Sequence, residues 1–423
     1  MEARRQAEIQ KSDWTATNVW LENARCARTS GALLAVCDGS RLVPISEYAL
    51  ADDLGHALFL GIIALATERD VSLADVAALN IAIDALGFVA LACILFAVRA
   101  NLTVIAFLAL GPVVYLGWVG TSPHWSFIGV ASLASILPLA LAAREYGWLS
   151  RRSGSTFIVV GLLSLALAFL IRESIGMMGL LASLGTAGVL AWSRIRAQKH
   201  VRGLVLIGLL VLAAAMTPRG ALLARDISFA MEPAHHVQTH GLSHTLYIGL
   251  GAVENRFGIR FEDSFGAEAA RKEASDVPYL SPDYYRLMWK LYLACVVEDP
   301  LEVARIYLRK AGMILDDPIL DSAPKLWIVL AIAIAALTMT RRDAWQRVGF
   351  AQGRLIVVVA LVFIGLFIVQ AVLAQPSRLF AAPAGAFVLV LLASLLEFLC
   401  RSLWVYVRRG DVRPNTDNPQ TPR

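Results

Sequence analysis

Three groups of side chains in this chain have types and spacings suited to chemistry. The first is acidic: Asp13 in a polar N-terminal stretch, then Asp52 and Asp53 directly before an apolar run that carries His56. Carboxylates usually form a solvated face, but an acid cluster beside a membrane surface suits a general base or a cation site. The second is the run His235-His236-x-x-x-His240-x-x-x-His244, with Tyr247 following. His236, His240 and His244 recur at helical spacing and would share one face. Gly241 weakens that helix and no HExxH pattern is present, so no metal or cofactor site is read here; hydrogen-bonding roles are expected for one or two of the histidines. The third is arginine. Arg172 in Arg172-Glu173 and Arg378 after Gln375-Pro376-Ser377 each stand at the end of an apolar run. A guanidinium there can hold a lipid phosphate through paired hydrogen bonds or simply reach for the surface. Asp84, with Asn80 one turn earlier, is the main charge inside an apolar run.

The elements that must position these groups are membrane helices. Of 423 residues, 57% are hydrophobic and only 17% charged, too apolar for a soluble domain. The formal net charge of +5 resides in arginines of short loops beside apolar runs, which sets topology and excludes a nucleic-acid surface. The pattern predicts an all-α polytopic protein with about nine transmembrane helices: residues 76–98, 101–119, 127–143, 155–171, 175–193, 203–217, 325–340, 355–374 and 378–400. With that set, Arg99, Arg144/Arg151/Arg152, Arg194/Arg196/Lys199/Arg202, Arg341/Arg342/Arg347 and Arg408/Arg409 all fall on one side, the cytoplasm. The expected organisation is an extracytoplasmic N-terminal loop (1–75), a first bundle (76–217), a mostly helical extracytoplasmic domain (218–324), a second bundle (325–400) and a cytoplasmic tail (401–423). The expected location is a bacterial inner membrane.

Leu54–Thr67 is short for a span and flanked by Asp52/Asp53, Glu68 and Asp70. It is read as an interfacial helix, with insertion as a first span the alternative. The first roughly thirty residues lack the apolar core of a secretory signal. An outer N-terminus then lacks an export route, so a first transmembrane helix upstream of Met1 is expected.

Trp20, Leu21, Ala24 and Ala27 make one face of a helix that breaks at Thr29-Ser30-Gly31, with extended segments Ala32–Val36 and Arg41–Ile45 after it. Cys26 and Cys37 are the one close pair among five cysteines; two free thiols are expected, with a disulfide as the alternative. The glycines around Gly249 and Gly251 do not form a phosphate-binding loop. Asp299-Pro300-Leu301-Glu302 is a helix start. The helix it opens places Leu301, Ala304, Leu308, Ala311 and Leu315 on one face, apart from Arg305 and Arg309. It would lie on the membrane or pack on the outer domain.

Two stretches and the overall layout carry a family likeness. Asp13 through Leu65 combines an acid, a helix, a Ser-Gly break and a short interfacial helix, and Arg378-Leu-Phe-Ala-Ala-Pro383 opens a late span. Together they resemble the GT-C superfamily, membrane glycosyltransferases that use polyprenyl-phosphate sugars, such as the protein mannosyltransferases and aminoarabinose transferases. The second stretch is similar to that family's Arg-Tyr-x-x-Pro element, with Leu379 in place of Tyr. The resemblance implies an inverting transferase that takes a polyprenyl-phosphate-linked sugar to a glycan, lipid or protein acceptor. It further implies a loop acid as base and basic residues near the outer surface as phosphate ligands. Asp13 matches the loop acid by position. Ser12-Asp13-Trp14 holds one carboxylate where the family has two, so Asp52 and Asp53 are rivals. His56, Arg172, His240, His244, Tyr247 and Arg378 are the expected substrate-binding residues. A transporter or flippase for lipid-linked glycans, or a non-catalytic subunit of a glycan assembly complex, is the alternative; the first two would need charges lining a path through the spans.

Overall fold

Several helices in this protein start where a side chain can satisfy the orphan N–H groups of the first turn. Tyr284 N–H donates to Ser281 Oγ at 3.1 Å, Glu302 N–H to Asp299 Oδ1 at 3.0 Å and Ser153 N–H to Ser150 Oγ at 3.1 Å. Pro282 and Pro300 each occupy the first helical position, where no N–H is needed. The computed structural model describes residues 15–39, 41–47, 54–115, 120–231, 241–316, 325–339, 342–376 and 378–410.

The N-terminal unit is helix α1 (Thr15–Ser30), an antiparallel hairpin of β1 (Ala35–Asp38) and β2 (Arg41–Pro44), and α2 (Leu54–Thr67). Next come α3 (Leu73–Ala97), α4 (Asn101–Tyr115), α5 (Phe127–Ala134), α6 (Ile136–Glu145), α7 (Arg151–Ile171), α8 (Glu173–Arg196) and α9 (Arg202–Ala215). A second polar region holds α10 (Thr217–Phe229), α11 (Leu242–Gly249), α12 (Asp263–Glu273), α13 (Pro282–Glu298) and α14 (Pro300–Asp316). The chain returns through α15 (Leu326–Met339), α16 (Arg342–Arg347), α17 (Ala351–Leu373) and α18 (Arg378–Gly410). Among the described residues six helices are long and apolar enough to cross a bilayer, or seven if α9 and α10, bent by 54°, count as one span. The protein is therefore an all-α, multi-pass integral membrane protein. Helices α4 and α15 coincide with expected spans but are shorter, so the count of nine is not reached on length and composition.

The α5–α6 run lies at the centre, buried along nearly its whole length. Three neighbours reach it through glycine. A Cβ on Gly87 of α3 would sit 2.2 Å from Gly129 O, one on Gly161 of α7 2.7 Å from Leu137 Cα, and one on Gly179 of α8 2.8 Å from Ala134 Cβ. Small residues permit such approach where lipid removes any hydrophobic drive between helices. Asp84 lies at the same crossing, and its Oδ1 accepts from Gly129 N–H at 2.7 Å in the first turn of α5. The charge expected inside a span is thus a helix cap.

The arginine-bearing connections gather at one end of the bundle. Glu397 is buried there and accepts from Thr103 N–H and Thr103 Oγ1, both at 2.8 Å, and from Arg401. Arg401 donates to Gly349 O at 2.8 Å, and Gln352 to Arg99 O at 3.3 Å. The N-terminal unit and helices α11–α14 belong to the opposite, loop-bearing end.

One expectation is corrected here. Cys26 and Cys37 form a disulfide, with Cα atoms 5.2 Å apart, because the hairpin folds back beside α1. Asn23 holds the same fold-back, donating to Ala57 O at 2.7 Å and accepting from Ala35 N–H at 3.0 Å. Helix α14 docks by Val303, Ile306, Lys310 and Ile314, leaving Leu301 and Leu308 80% and 73% exposed. The reason is Lys310. Its Nζ donates to Gly249 O at 2.9 Å, Leu373 O at 3.3 Å and Ala374 O at 2.8 Å, closing the C-terminus of α17 and tying the outer domain to the bundle. Burial pushes this ammonium from 10.5 down to about 7.

Gly87→Ala is expected to lower the thermal midpoint in detergent clearly, at a cost of about 1–3 kcal/mol for overpacking. Gly188→Ala, where nothing lies within 4 Å, should leave it unchanged or slightly raised. A pH dependence follows from Lys310. Between about 7 and 10.5 the folded chain holds fewer protons at this site than the unfolded chain, so its contribution to stability rises with pH. The slope is at most about 1.4 kcal/mol per pH unit. Unfolding of the parent and Lys310→Met at pH 7, 8 and 9 should show that slope in the parent and its loss in the variant.

Candidate active site

At the loop-bearing end, helix α2 opens with Leu54-Gly55-His56. Gly55 lets it press against the last residue of α7: a Cβ there would lie 2.9 Å from Ile171 Cα. This contact carries His56 into the bundle, fully buried, with Trp20 of α1 stacked on its ring at 4.5 Å and 8°. His56 Nε2 meets Asn80 Oδ1 at 2.9 Å, and Ser126 Oγ lies 3.5 Å from the same nitrogen. Asn80 donates from Nδ2 to Gly120 O at 2.9 Å and Ser122 O at 3.0 Å. Its amide orientation is fixed by those two carbonyls, so Oδ1 faces the imidazole and Nε2 carries the hydrogen. In the neutral ring the lone pair is then on Nδ1, which is buried and has no hydrogen-bond partner among the described residues.

Arg172 is the single residue between α7 and α8. Its N–H closes α7 on Ala168 O at 2.8 Å, and its carbonyl receives Ile175 and Gly176 N–H in the first turn of α8. The guanidinium lies over the Phe127 ring, 5.1 Å from its centroid. Phe127 directly follows Ser126, so His56 and Arg172 flank one turn, Pro123–Ser126. Gln370, near the end of α17, donates to Ser174 Oγ at 3.0 Å and leaves Oε1 buried without a hydrogen-bond partner among the described residues. Helix α18 packs against the same turn and against α5. The structure thus brings His56 and Arg172 together beside Asn80 and Ser126. Arg378 begins α18, but its side chain lies outside the described part. Asp13, Asp52, Asp53, His235, His236 and His240 also lie outside the described residues.

His244 belongs to a second network, in the outer domain. Its Nδ1 is 2.7 Å from Tyr284 Oη and its Nε2 is 3.1 Å from Asp263 Oδ1. An ionised carboxylate only accepts, so Nε2 carries the hydrogen and Tyr284 donates to Nδ1. Gly266 makes room for this, since a Cβ there would lie 2.7 Å from Tyr284 Oη. His244 is fully buried while the Asp263 side chain is 54% exposed. Tyr247 is buried in the same core, stacked on Phe265 at 6.4 Å, and burial pushes its hydroxyl up to about 12. Burial raises the Tyr279 and Tyr284 hydroxyls as well. Among the described residues no three His, Cys, Asp or Glu side chains are grouped to hold a metal ion.

Sequence reading passed over Ser126, Gln370, Ser174 and the Trp20 stack, which tertiary folding alone assembles. Lys310 did leave a signal, as a lysine within the apolar stripe Val303, Ile306 and Ile314.

Asn80→Asp is expected to destabilise the site by about 3 kcal/mol, since a carboxylate cannot donate to the carbonyls of Gly120 and Ser122 and leaves them facing a charge. Thermal unfolding in detergent measures this; Asn80→Asp at the parent's midpoint would rule out the hydrogen-bonded arrangement. No protein-family model, curated protein or solved structure matches this chain.

Proposed function

We propose that the protein is a membrane glycosyltransferase that moves a sugar from a polyprenyl-phosphate donor to an acceptor hydroxyl at its loop-bearing end. In this reading α4 and α15 also cross the bilayer, giving nine spans, with the arginine-bearing end in the cytoplasm of a bacterial inner membrane. One observation carries the reading. A polar cluster of buried His56, Asn80 and Ser126 beside the half-buried Arg172 forms where connections of one end converge next to a folded unit. Among the described residues, the carboxylates Asp84 and Glu397 of the long apolar helices are occupied as helix caps and supply no charged path for transport.

An acid of the N-terminal segment (Asp13, Asp52 or Asp53) takes the proton of the acceptor hydroxyl. The oxygen attacks the anomeric carbon as its bond to the lipid phosphate breaks, inverting that centre. Arg172 and Arg378 stabilise the departing phosphate. Asp52 and Asp53 directly precede the helix that carries His56, which favours them over Asp13 by proximity in sequence. His240, His244 and Tyr247 would contribute through the outer domain.

Proteoliposomes holding a radiolabelled polyprenyl-phosphate sugar test the reading. Breakage of the sugar–phosphate bond, dependent on the protein, is expected; movement of intact lipid-linked sugar between leaflets would mark a transporter instead. Arg378→Lys keeps the charge but loses the planar fork, so transfer should fall by about tenfold or more. Activity equal to the parent would remove Arg378 from the phosphate site. Sidedness is read by placing cysteine at Ser12 and Ser275 in a background without Cys93, Cys295 and Cys400. An impermeant thiol reagent should label both from outside; labelling at Ser275 alone would make Leu54–Thr67 a span.

A further inference from the structure

At the arginine-bearing end, a cavity of about 780 Å3 lies between α6, α8 and α17. Its walls are apolar. Leu181 and Val189 of α8 and Val358 and Val362 of α17 line it and are also exposed, so the cavity opens sideways through the flank of the bundle. Where two spans face the bilayer, lipid chains are the molecules that fill such an opening. Along α17 the lining runs from Ala351 to Leu366. That is about 22 Å of helix, longer than one leaflet's half of a hydrocarbon core of about 30 Å, and so long enough to take an alkyl chain over the full depth of its leaflet.

The glycines point the same way. Gly87, Gly161 and Gly179 are each required by a close neighbour, whereas Gly185, which lines the cavity, has nothing within 4 Å of a Cβ position. Glycine is unfavourable inside a helix. Here it serves no packing contact and leaves room in the cavity.

The mouth supplies charge. Arg354 lines it together with Gln346 and the stacked pair Tyr146 and Trp148, an aromatic border of the kind found at interfacial depth. Among the described residues no carboxylate forms an ion pair with Arg354. It stands in the first turn of α17, where the helix dipole disfavours a cation, so a counter-anion is wanted at this position. We propose that the groove binds one anionic membrane lipid from the leaflet at the arginine-bearing end, with an alkyl chain in the cavity and its phosphodiester on Arg354. This site is separate from the cluster at the loop-bearing end and does not depend on the glycosyltransferase reading.

Native mass spectrometry of the full chain in detergent, titrated with dioleoylphosphatidylglycerol or dioleoylphosphatidylcholine, tests the proposal. The parent should retain one phosphatidylglycerol with about tenfold preference over phosphatidylcholine. Arg354→Gln should abolish the preference and Arg354→Lys should keep most of it. Gly185→Phe, which fills the groove, should weaken binding of both lipids at this site by about tenfold. Millimolar inorganic phosphate should not displace the lipid, because the chain contributes to binding; displacement would overturn the alkyl part of the proposal. A parent without preference, or a preference that survives both Arg354→Gln and Gly185→Phe, overturns it outright. Should Gly185→Phe fail to fold, Arg354→Gln, at a partly exposed position, decides alone.

Discussion

Helix ends set the terms for this molecule. A helix that stops within or beside a bilayer leaves N–H or C=O groups that water cannot reach, and each must find a partner inside the protein. Three ionisable side chains, Asp84 half-buried and Glu397 and Lys310 buried, meet that demand. Asp84 receives Gly129 N–H at the start of α5, Glu397 receives Thr103 N–H at the start of α4, and Lys310 closes the carbonyls at the end of α17. Each charge lies on a different helix from the end it satisfies, so each is also a tertiary tie. The Asp84 contact fixes where α5 begins. The start of α5 in turn fixes Ser126 and Phe127, and with them the meeting of His56 and Arg172.

The two histidine networks differ in what they leave open. His244 is engaged at both nitrogens, by Tyr284 and Asp263, and presents only the carboxylate toward water. His56 is engaged at one nitrogen, and Asn80, itself locked by two carbonyls, dictates which one. The first network rigidifies a domain core built around Tyr247, Tyr284 and Met288. The second leaves His56 Nδ1 without a hydrogen-bond partner among the described residues, beneath a convergence of loops, a state that a packed core avoids.

What was legible in the sequence follows from which signals are local. Apolar length, arginine placement and caps such as Asp299-Pro300 are local, and the helices of the bundle appear where those signals put them. The Trp20, Ala24 and Ala27 face is buried as its spacing predicts. The docking face of α14 was not legible, because counting apolar residues ranks Lys310 as an exposing residue, whereas three distant carbonyls make it a burying one. Cys26 and Cys37 looked unpaired for a similar reason: the fold-back that joins them depends on Asn23 reaching both α2 and β1. Of the candidate site, His56 and Arg172 were singled out by type and position, while Ser126 and Gln370 carried no mark that distinguishes them from other polar residues at helix ends.

Helix α18 runs for 33 residues, about 50 Å, and exceeds a hydrocarbon core of about 30 Å by a wide margin. A helix of that length could in principle slide along the membrane normal to suit bilayers of different thickness. Glu397 prevents it, since its carboxylate is clamped to Thr103 on a shorter neighbour and to Arg401 on its own next turn. The apolar stretch of α18 is therefore held at a set depth relative to the rest of the bundle. In a membrane thicker or thinner than that depth allows, the surrounding lipid must stretch or compress, or the whole bundle must tilt as one body.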